Sequence, residues 1–239
     1  MTLQLFAHPF SSYCQKVLIA LYANETPFEY RLLEQDHPEN FAELKRHWPI
    51  GKFPMLLDDG EPIIETTPII DYLDVHYPGP NSWIPRGEME QRVRFLDRFF
   101  DLHVMENMSK ISTDPLRPEG SRDEYGVEKA RANLNIAYDW IEGQLGDPWA
   151  VGDTFTLADC AAAPSLFYAD WVEPIGESRP QLAAYRAALR LMFPERPLKA
   201  TILWTDGPKL MEIPSTLLDL AERRMLQDGP SLDVAGVRT

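Results

Sequence analysis

The stretch AHPFSSYCQKV, Ala7–Val17, decides the fold of this chain of 239 residues. The apolar run TLQLF (residues 2–6) leads into it, and the amphipathic run VLIALY (residues 17–22) follows it. This pattern predicts a strand followed by a helix, with two hydroxyl groups and a thiol at the turn between them. A serine at such a turn caps the helix by accepting a backbone N–H of its first turn. The partial positive charge of a helix N-terminus also suits a bound anion, so the stretch predicts a cap, a chemical site or both.

The composition predicts a globular protein whose partners are not polyanions. Hydrophobic residues make up 44% of the chain, enough for a sizeable core. The 37 acidic and 23 basic residues give a net charge of -14 at pH 7, which repels nucleic acid and anionic lipid. Two distant cysteines, Cys14 and Cys160, predict neither a disulfide framework nor a thiolate metal site. Because we find no signal pattern and no run near the roughly 20 apolar residues that span a bilayer, we expect a cytoplasmic protein without membrane or nucleic-acid partners.

The pattern along the chain changes near residue 80. Up to residue 78, short strand-like runs alternate with helix-like runs, which predicts the order βαβαββα. The predicted strands and helices of this part are 3–7, 12–23, 28–33, 38–46, 54–58, 62–65 and 67–77. Residues 79–86 are rich in proline and predict a linker. From residue 87 to residue 239 helical spacing dominates, so we expect an all-helical domain with a C-terminal extension after Pro194 that adds one more helix or a lid.

Two boundary signals refine this picture. Thr156 is followed three residues later by Asp159, which is a variant of the capping box and predicts a helix start there, with Phe155 placed to pack against Cys160. Pro54 stands at the start of a predicted strand, where proline cannot donate to a ladder. A cis bond before Pro54 is one geometry that would use this position.

Five motifs in this order resemble the cytosolic glutathione S-transferase family. They are SSYCQKV at the strand-to-helix turn, GKFP before a strand, ETTPIIDYL after the next strand, the proline-rich linker, and FTLAD at the start of a core helix. The resemblance covers residues 1 to about 200. It implies an α/β plus all-α fold, in which a thioredoxin-like N-terminal domain precedes a helical one, usually in a homodimer. It also implies glutathione as co-substrate and no metal.

By this resemblance, the hydroxyl at the turn stabilises the glutathione thiolate. Ser11 holds the place of the reactive sulfur in the C-x-x-C pair of thioredoxin-like relatives, and Ser12 is the second candidate. A hydrogen bond donated to sulfur favours the charged form of the thiol. Tyr13 is the poorer candidate because tyrosine-type members carry their tyrosine just after the first strand. Cys14 fits a small buried hydrophobe, and the absence of cysteine at position 11 argues against mixed-disulfide chemistry.

The remaining motifs resemble a tripeptide site. In the family, the residue before the cis-proline pairs its backbone with the cysteinyl part of glutathione, which places Phe53–Pro54 there. Glu65 stands where it can accept from the γ-glutamyl ammonium, and Thr66 stands where its hydroxyl and the helix start can hold the α-carboxylate. For Thr66 the alternative is a simple helix cap. Lys52 is the candidate for the glycyl carboxylate, with His37 as a weaker one.

The second substrate is defined only as a small hydrophobic electrophile. The family places it between the domains, against the first helix of the C-terminal domain, where the candidates are Phe99, His103, Met105 and Met108. A lone His103 on an apolar face is more often a hydrogen-bonded core residue. Dimer contacts are expected on the helices at 67–77 and 88–110.

Three functional hypotheses remain open at this point. The first is a serine-type glutathione S-transferase that adds glutathione to hydrophobic electrophiles. The second is a glutathione-dependent isomerase of the zeta type, whose SSC motif differs from SSY here. The third is a non-enzymatic binding or regulatory protein with this fold. The presence of Glu65 and of a hydroxyl at position 11 favours an enzyme, although the fold alone decides none of them.

Overall fold

The structure is a computed structural model that describes residues 3–176, 178–191, 201–204 and 209–212. Its first part contains β1 (Leu3–Ala7), α1 (Ser12–Ala23), β2 (Glu29–Leu32), α2 (Pro38–His47), β3 (Met55–Asp58), β4 (Glu61–Ile64) and α3 (Thr66–His76). The strands form one sheet in the order β2-β1-β3-β4, in which β1 is parallel to β2 and antiparallel to β3. The predicted βαβαββα order and the thioredoxin-like topology are confirmed.

The burial of β1 explains why this sheet forms here. Successive side chains of a strand point to opposite faces. Leu3, Leu5 and Ala7 join the core that contains α1 and α3, whereas Phe6 packs in a second cluster with Leu44 of α2. A central strand that is buried on both faces requires the nearly continuous apolar run seen in the sequence.

The second part is helical. It contains α4 (Glu88–Phe99), a π-helical segment (Phe100–Met105), α5 (Glu106–Thr113), a 3₁₀ turn (Asp114–Leu116), α6 (Glu124–Ile141), α7 (Leu157–Val172) and α8 (Pro180–Leu191). The predicted helix from residue 88 is therefore one helical run that a π-helical segment interrupts. Residues up to 191 belong to one compact unit, in which α7 packs against both α1 and α4. Among the residues described, no helix is long and apolar enough to cross a membrane.

The start of α7 matches the predicted capping box. The carboxylate of Asp159 accepts the Thr156 N–H at 2.8 Å, and Thr156 is the residue that caps the helix. The neighbouring Phe155 ring packs edge-on against Trp83 and Trp149, with centroid distances of 6.2 and 5.1 Å. This cap anchors the helix that supports the rest of the second part.

The C-terminal extension was expected to add a helix or a lid. Within it, Thr201–Trp204 (β5) and Lys209–Glu212 (β6) form an antiparallel pair of strands. The other residues of the extension from 192 onward lie outside the described part of the chain.

Candidate functional site

The turn between β1 and α1 presents the Ser11 side chain. Ser11 is the N-cap of α1, and its hydroxyl oxygen accepts the Cys14 N–H at 3.3 Å. Its own N–H donates to the His8 carbonyl at 3.0 Å, which fixes the turn. The Ser11 side chain is partly exposed, whereas Ser12 is buried. The cap uses a lone pair of the Ser11 hydroxyl, and no acceptor for its proton occurs among the described residues, so that proton can be donated to a ligand.

The neighbouring Cys14 and Tyr13 are held in their neutral forms. Cys14 is fully buried, its sulfur accepts the His8 N–H at 3.4 Å, and burial raises the pKa of its thiol to about 11. Burial, together with the charge of Asp101, raises the pKa of Tyr13 to about 12. Neither group is an anion near neutral pH, so neither supplies a thiolate or phenolate nucleophile at this turn.

The peptide bond between Phe53 and Pro54 is cis, which is the geometry considered for this position from the sequence, and it leads directly into β3. The Phe53 ring lies 6.3 Å from the His8 ring, which in turn lies 5.6 Å from the ring of Phe10 (centroid distances). Burial lowers the pKa of His8, and its Nδ1 accepts the Phe10 N–H at 3.2 Å. Since the His8 carbonyl also binds Ser11, this histidine joins the cis-proline segment to the Ser11 turn.

The start of α3 forms the opposite part of the site. Glu65 precedes the helix with φ 72°, a backbone conformation that non-glycine residues rarely adopt and that costs of order 1–3 kcal/mol. Glu65 is exposed, and Thr66, the first helical residue, is buried. The first intrahelical bond runs from the Ile69 N–H to the Glu65 carbonyl at 3.0 Å, so the N–H groups before it point out of the helix start, where an anion binds well.

The two cationic candidates lie at the rim. Lys52 is exposed just before the cis-proline segment, and no ion pair joins it to the described part of the chain. His37 is partly exposed, and its Nδ1 lies 3.4 Å from a carboxylate oxygen of Glu39. Lys52 is therefore the cation that is free to meet a carboxylate, whereas His37 already has an acidic neighbour.

The structure separates the four electrophile candidates into two pairs. Phe99 and His103 line a groove of about 720 Å³ between α4, α5 and α6. Met105 and Met108 are buried in the core instead. Only His103 is exposed, because Phe99, although it lines the groove, is as buried as Met108.

The helix α7 also contributes to this site, which the sequence did not predict. The side-chain amide of Gln15 donates to the Pro9 carbonyl and to the Tyr168 hydroxyl, both at 3.0 Å. Tyr168 packs edge-on against Trp171, which is 46% exposed, so aromatic side chains stand next to the Ser11 turn. The spacing of these aromatics on α7 was visible in the sequence, but their position beside α1 depends on tertiary packing.

A set of metal ligands is not found in the described part of the chain, which contains no group of three or more His, Cys, Asp or Glu side chains that could hold a metal ion.

Both parts of the chain match a known protein family. Residues 5–81 match the family described as glutathione S-transferase, N-terminal domain, and residues 124–188 match glutathione S-transferase, C-terminal domain. A protein of Nicotiana tabacum named probable glutathione S-transferase is 28% identical over 155 residues, which are 64% of this chain and 65% of that protein. The chain thus spans less than two thirds of this relative's length.

Two further relatives match over more of their length. A probable maleylacetoacetate isomerase of Vibrio cholerae is 26% identical over 200 residues, covering 80% of this chain and 93% of that protein. A crystal structure of a glutathione S-transferase from Methylobacillus flagellatus with GSH bound is 26% identical and has a TM-score of 0.71. The match covers 82% of this chain and 96% of the chain in that structure.

Proposed function

Because this chain belongs to the glutathione S-transferase family, we propose that it transfers glutathione to small hydrophobic electrophiles, with Ser11 stabilising the thiolate. The observation that carries the proposal is the Ser11 hydroxyl at the N-terminus of α1, partly exposed and with its proton unused. Both the donated hydrogen bond and the helix N-terminus favour the charged form of sulfur. Lowering a thiol pKa by about two units corresponds to about 2.7 kcal/mol in favour of the thiolate.

The tripeptide would extend from the Ser11 turn to the start of α3. The backbone of Phe53, ahead of cis-Pro54, pairs with the cysteinyl part in the manner of an added strand. Glu65 accepts from the γ-glutamyl ammonium, and Thr66 with the free N–H groups of α3 holds the α-carboxylate. Lys52 meets the glycyl carboxylate. The strained backbone at Glu65 supports this assignment, because such strain is retained mainly where function requires it.

The reaction needs no group beyond these. The thiol proton leaves for solvent as glutathione binds, and the thiolate attacks the electrophilic carbon. A C–S bond forms while the bond to the leaving group breaks, or while an electron pair of a strained ring or double bond moves to the neighbouring atom. Exclusion of water by the aromatic side chains near the turn, such as Phe10 and Tyr168, strengthens the electrostatic stabilisation.

A second candidate function is glutathione-dependent isomerisation. The similarity to the Vibrio cholerae protein favours it, since that protein is named a maleylacetoacetate isomerase. Tyr13, where the zeta type has cysteine, counts against it. A non-enzymatic binding role is the third candidate, and the retained Ser11 hydroxyl and Glu65 carboxylate argue against it.

We infer that the protein is a cytoplasmic homodimer. The groove between α4, α5 and α6 exposes large apolar side chains, each 43 to 66% accessible: Phe95, Leu102, Ile136 and Trp140. An exposed apolar patch of this kind marks a protein interface. We therefore propose that α6 takes part in the dimer contact in addition to the expected helices. We expect Trp140→Glu to convert the dimer to monomers, which light scattering after size-exclusion chromatography measures, whereas Trp171→Glu leaves it dimeric.

The activity is tested with a panel of electrophiles. Aryl halides, epoxides and unsaturated carbonyl compounds are incubated with glutathione and the wild type, Ser11→Ala or Ser12→Ala, and maleylacetoacetate isomerisation is followed in parallel. Conjugation that Ser11→Ala alone abolishes supports the transferase. Isomerisation without conjugation supports the second candidate, and glutathione binding without either reaction contradicts both.

A further inference from the structure

Lys16 of α1 is completely buried, and three side chains from other helices bind its ammonium group. Its Nζ lies 2.5 Å from Asp97 Oδ1, 2.8 Å from Asp101 Oδ2 and 3.3 Å from Thr67 Oγ1. The Thr67 hydroxyl in turn donates to Asp97 Oδ2 at 2.8 Å. The contacts to Asp101 and Thr67 are hydrogen bonds, and the contact to Asp97 Oδ1 is a close ion pair without hydrogen-bond geometry. The four side chains form a closed set that we call the Lys16 network.

The Lys16 network connects the two helix starts of the proposed glutathione site. Lys16 lies one turn after Ser12 in α1, and Thr67 directly follows Thr66 in α3. The two carboxylates belong to α4 and to the π-helical segment. Lys16 contacts both carboxylates and Thr67 contacts that of Asp97, so Asp97 is shared by the two helix starts. The π-helical segment that carries Asp101 is of a kind that is frequent at functional sites.

Stability alone gives a poor reason for this arrangement. Burying an ion costs several kcal/mol, and apolar residues of similar volume often replace a buried ion pair without loss of stability. Burial raises the pKa of Asp101 although Lys16 opposes the shift, and its Oδ1 has no hydrogen-bond donor among the described residues. Arg98, half exposed, lies 3.4 Å from the other oxygen and offsets the second negative charge. The network therefore costs free energy that apolar packing would not.

What ion pairs and hydrogen bonds add is directionality. Apolar contacts between helices tolerate small sliding movements, whereas two hydrogen bonds and a close ion pair to one ammonium restrict the distance and angle between helices. A tripeptide that reaches from one helix start to another requires that distance to be fixed before it binds, because ordering the site on binding reduces affinity.

We propose that Lys16 is a positioning residue, which holds the starts of α1 and α3 at the separation that glutathione spans. The inference rests on the proposed function for its ligand, but it makes a claim about the free protein as well. Loss of the network weakens binding of glutathione and loosens the first turn of α3. It leaves intact the hydrogen bond from Ser11 to sulfur in the glutathione that still binds.

The test compares three variants. The triple variant Lys16→Met, Asp97→Asn, Asp101→Asn removes every charge of the network at similar volume. Thr67→Val removes only the link to α3 and keeps the shape of the side chain. Arg94→Met is the matched control, because Arg94 also connects α4 to α3, through a partly exposed pair with Asp71 at 3.3 Å.

Two quantities are measured: the dissociation constant for glutathione by calorimetry, and hydrogen exchange of the Ile69 amide without ligand. We expect the triple variant to raise the dissociation constant about tenfold, or about 1.4 kcal/mol, and to accelerate exchange at Ile69 by a similar factor. Thr67→Val shifts both quantities in the same direction by a smaller factor. Arg94→Met leaves both near wild-type values. At saturating glutathione, the thiolate absorbance of the triple variant stays that of the wild type.

The outcomes separate the two proposals. A folded triple variant with wild-type affinity and wild-type exchange overturns the role of Lys16. If the triple variant does not fold, Thr67→Val decides, and wild-type values for it overturn the inference equally. A wild type that binds no glutathione contradicts the proposed function, and the exchange of Ile69 in the free protein then decides the positioning role alone.

Discussion

Asp159→Asn is the substitution whose cost can be worked out most directly from the structure. The Asp159 carboxylate is fully buried and accepts four hydrogen bonds. One oxygen accepts from the Ala150 N–H at 2.8 Å and the Tyr185 hydroxyl at 2.5 Å. The other accepts from the N–H and the hydroxyl of Thr156, at 2.8 and 3.0 Å. Asparagine keeps one such oxygen and turns an NH₂ group toward the other two donors.

Two charge-assisted hydrogen bonds are therefore lost, and the NH₂ group of the asparagine faces two buried donors. Hydrogen bonds to charged groups contribute about 1.5–3 kcal/mol each, so we expect a loss of roughly 3–6 kcal/mol in the free energy of unfolding. At about 2–4 °C per kcal/mol for a domain of this size, the melting temperature falls by roughly 6–24 °C.

The assay is urea unfolding followed by tryptophan fluorescence, with thermal unfolding in parallel. Asp153→Asn is the control: Asp153 is exposed three residues before Thr156, and the change should stay within about 0.5 kcal/mol. If Asp159→Asn lies as close to wild type as this control, the four hydrogen bonds do not stabilise α7, and the argument from the capping box is refuted.

Two further substitutions test local features. Glu65→Gly removes the strain of a positive φ, so we expect the free energy of unfolding to rise by about 1 kcal/mol while glutathione binding weakens at least several-fold. Urea unfolding measures the first effect and calorimetry the second. A loss of stability would contradict the strain argument. Asp58→Ala removes the carboxylate whose hydrogen bond raises the pKa of Tyr77 to about 12, so tyrosinate absorbance should appear at lower pH than in the wild type. An unchanged titration curve would show that Asp58 does not raise the pKa of Tyr77.

Local patterns predicted most of the first part of the chain. The strand β1 and the helix α1 occur at the predicted residues, because an apolar run, a serine cap and a helical stripe are signals within one short stretch. The cis bond at Pro54 was only one geometry consistent with the local sequence, whereas the capping box at Thr156 was predicted for the same reason as β1 and α1. Each of these features depends on residues that are neighbours in sequence.

Features that depend on distant contacts were not predicted. The apolar residues from residue 88 onward fit more than one buried face of a regular helix. The π-helical segment also changes the number of residues per turn, so regular helical spacing does not tell which face a side chain occupies there. Within this segment His103 is exposed at the groove, while Met105 lies in the core. Nothing near Lys16 in the sequence indicates its burial, because its partners come from residues 67, 97 and 101. The roles of Ser11, Glu65 and the electrophile candidates stay predictions.

The most direct test of the central claim is the ultraviolet absorbance of the glutathione thiolate as a function of pH, with glutathione bound to the wild type, Ser11→Ala and Ser12→Ala. The account predicts a thiolate at neutral pH in the wild type and in Ser12→Ala, and a bound but protonated thiol in Ser11→Ala. A thiolate that persists in Ser11→Ala, or a wild type that binds glutathione only as the thiol, would contradict it.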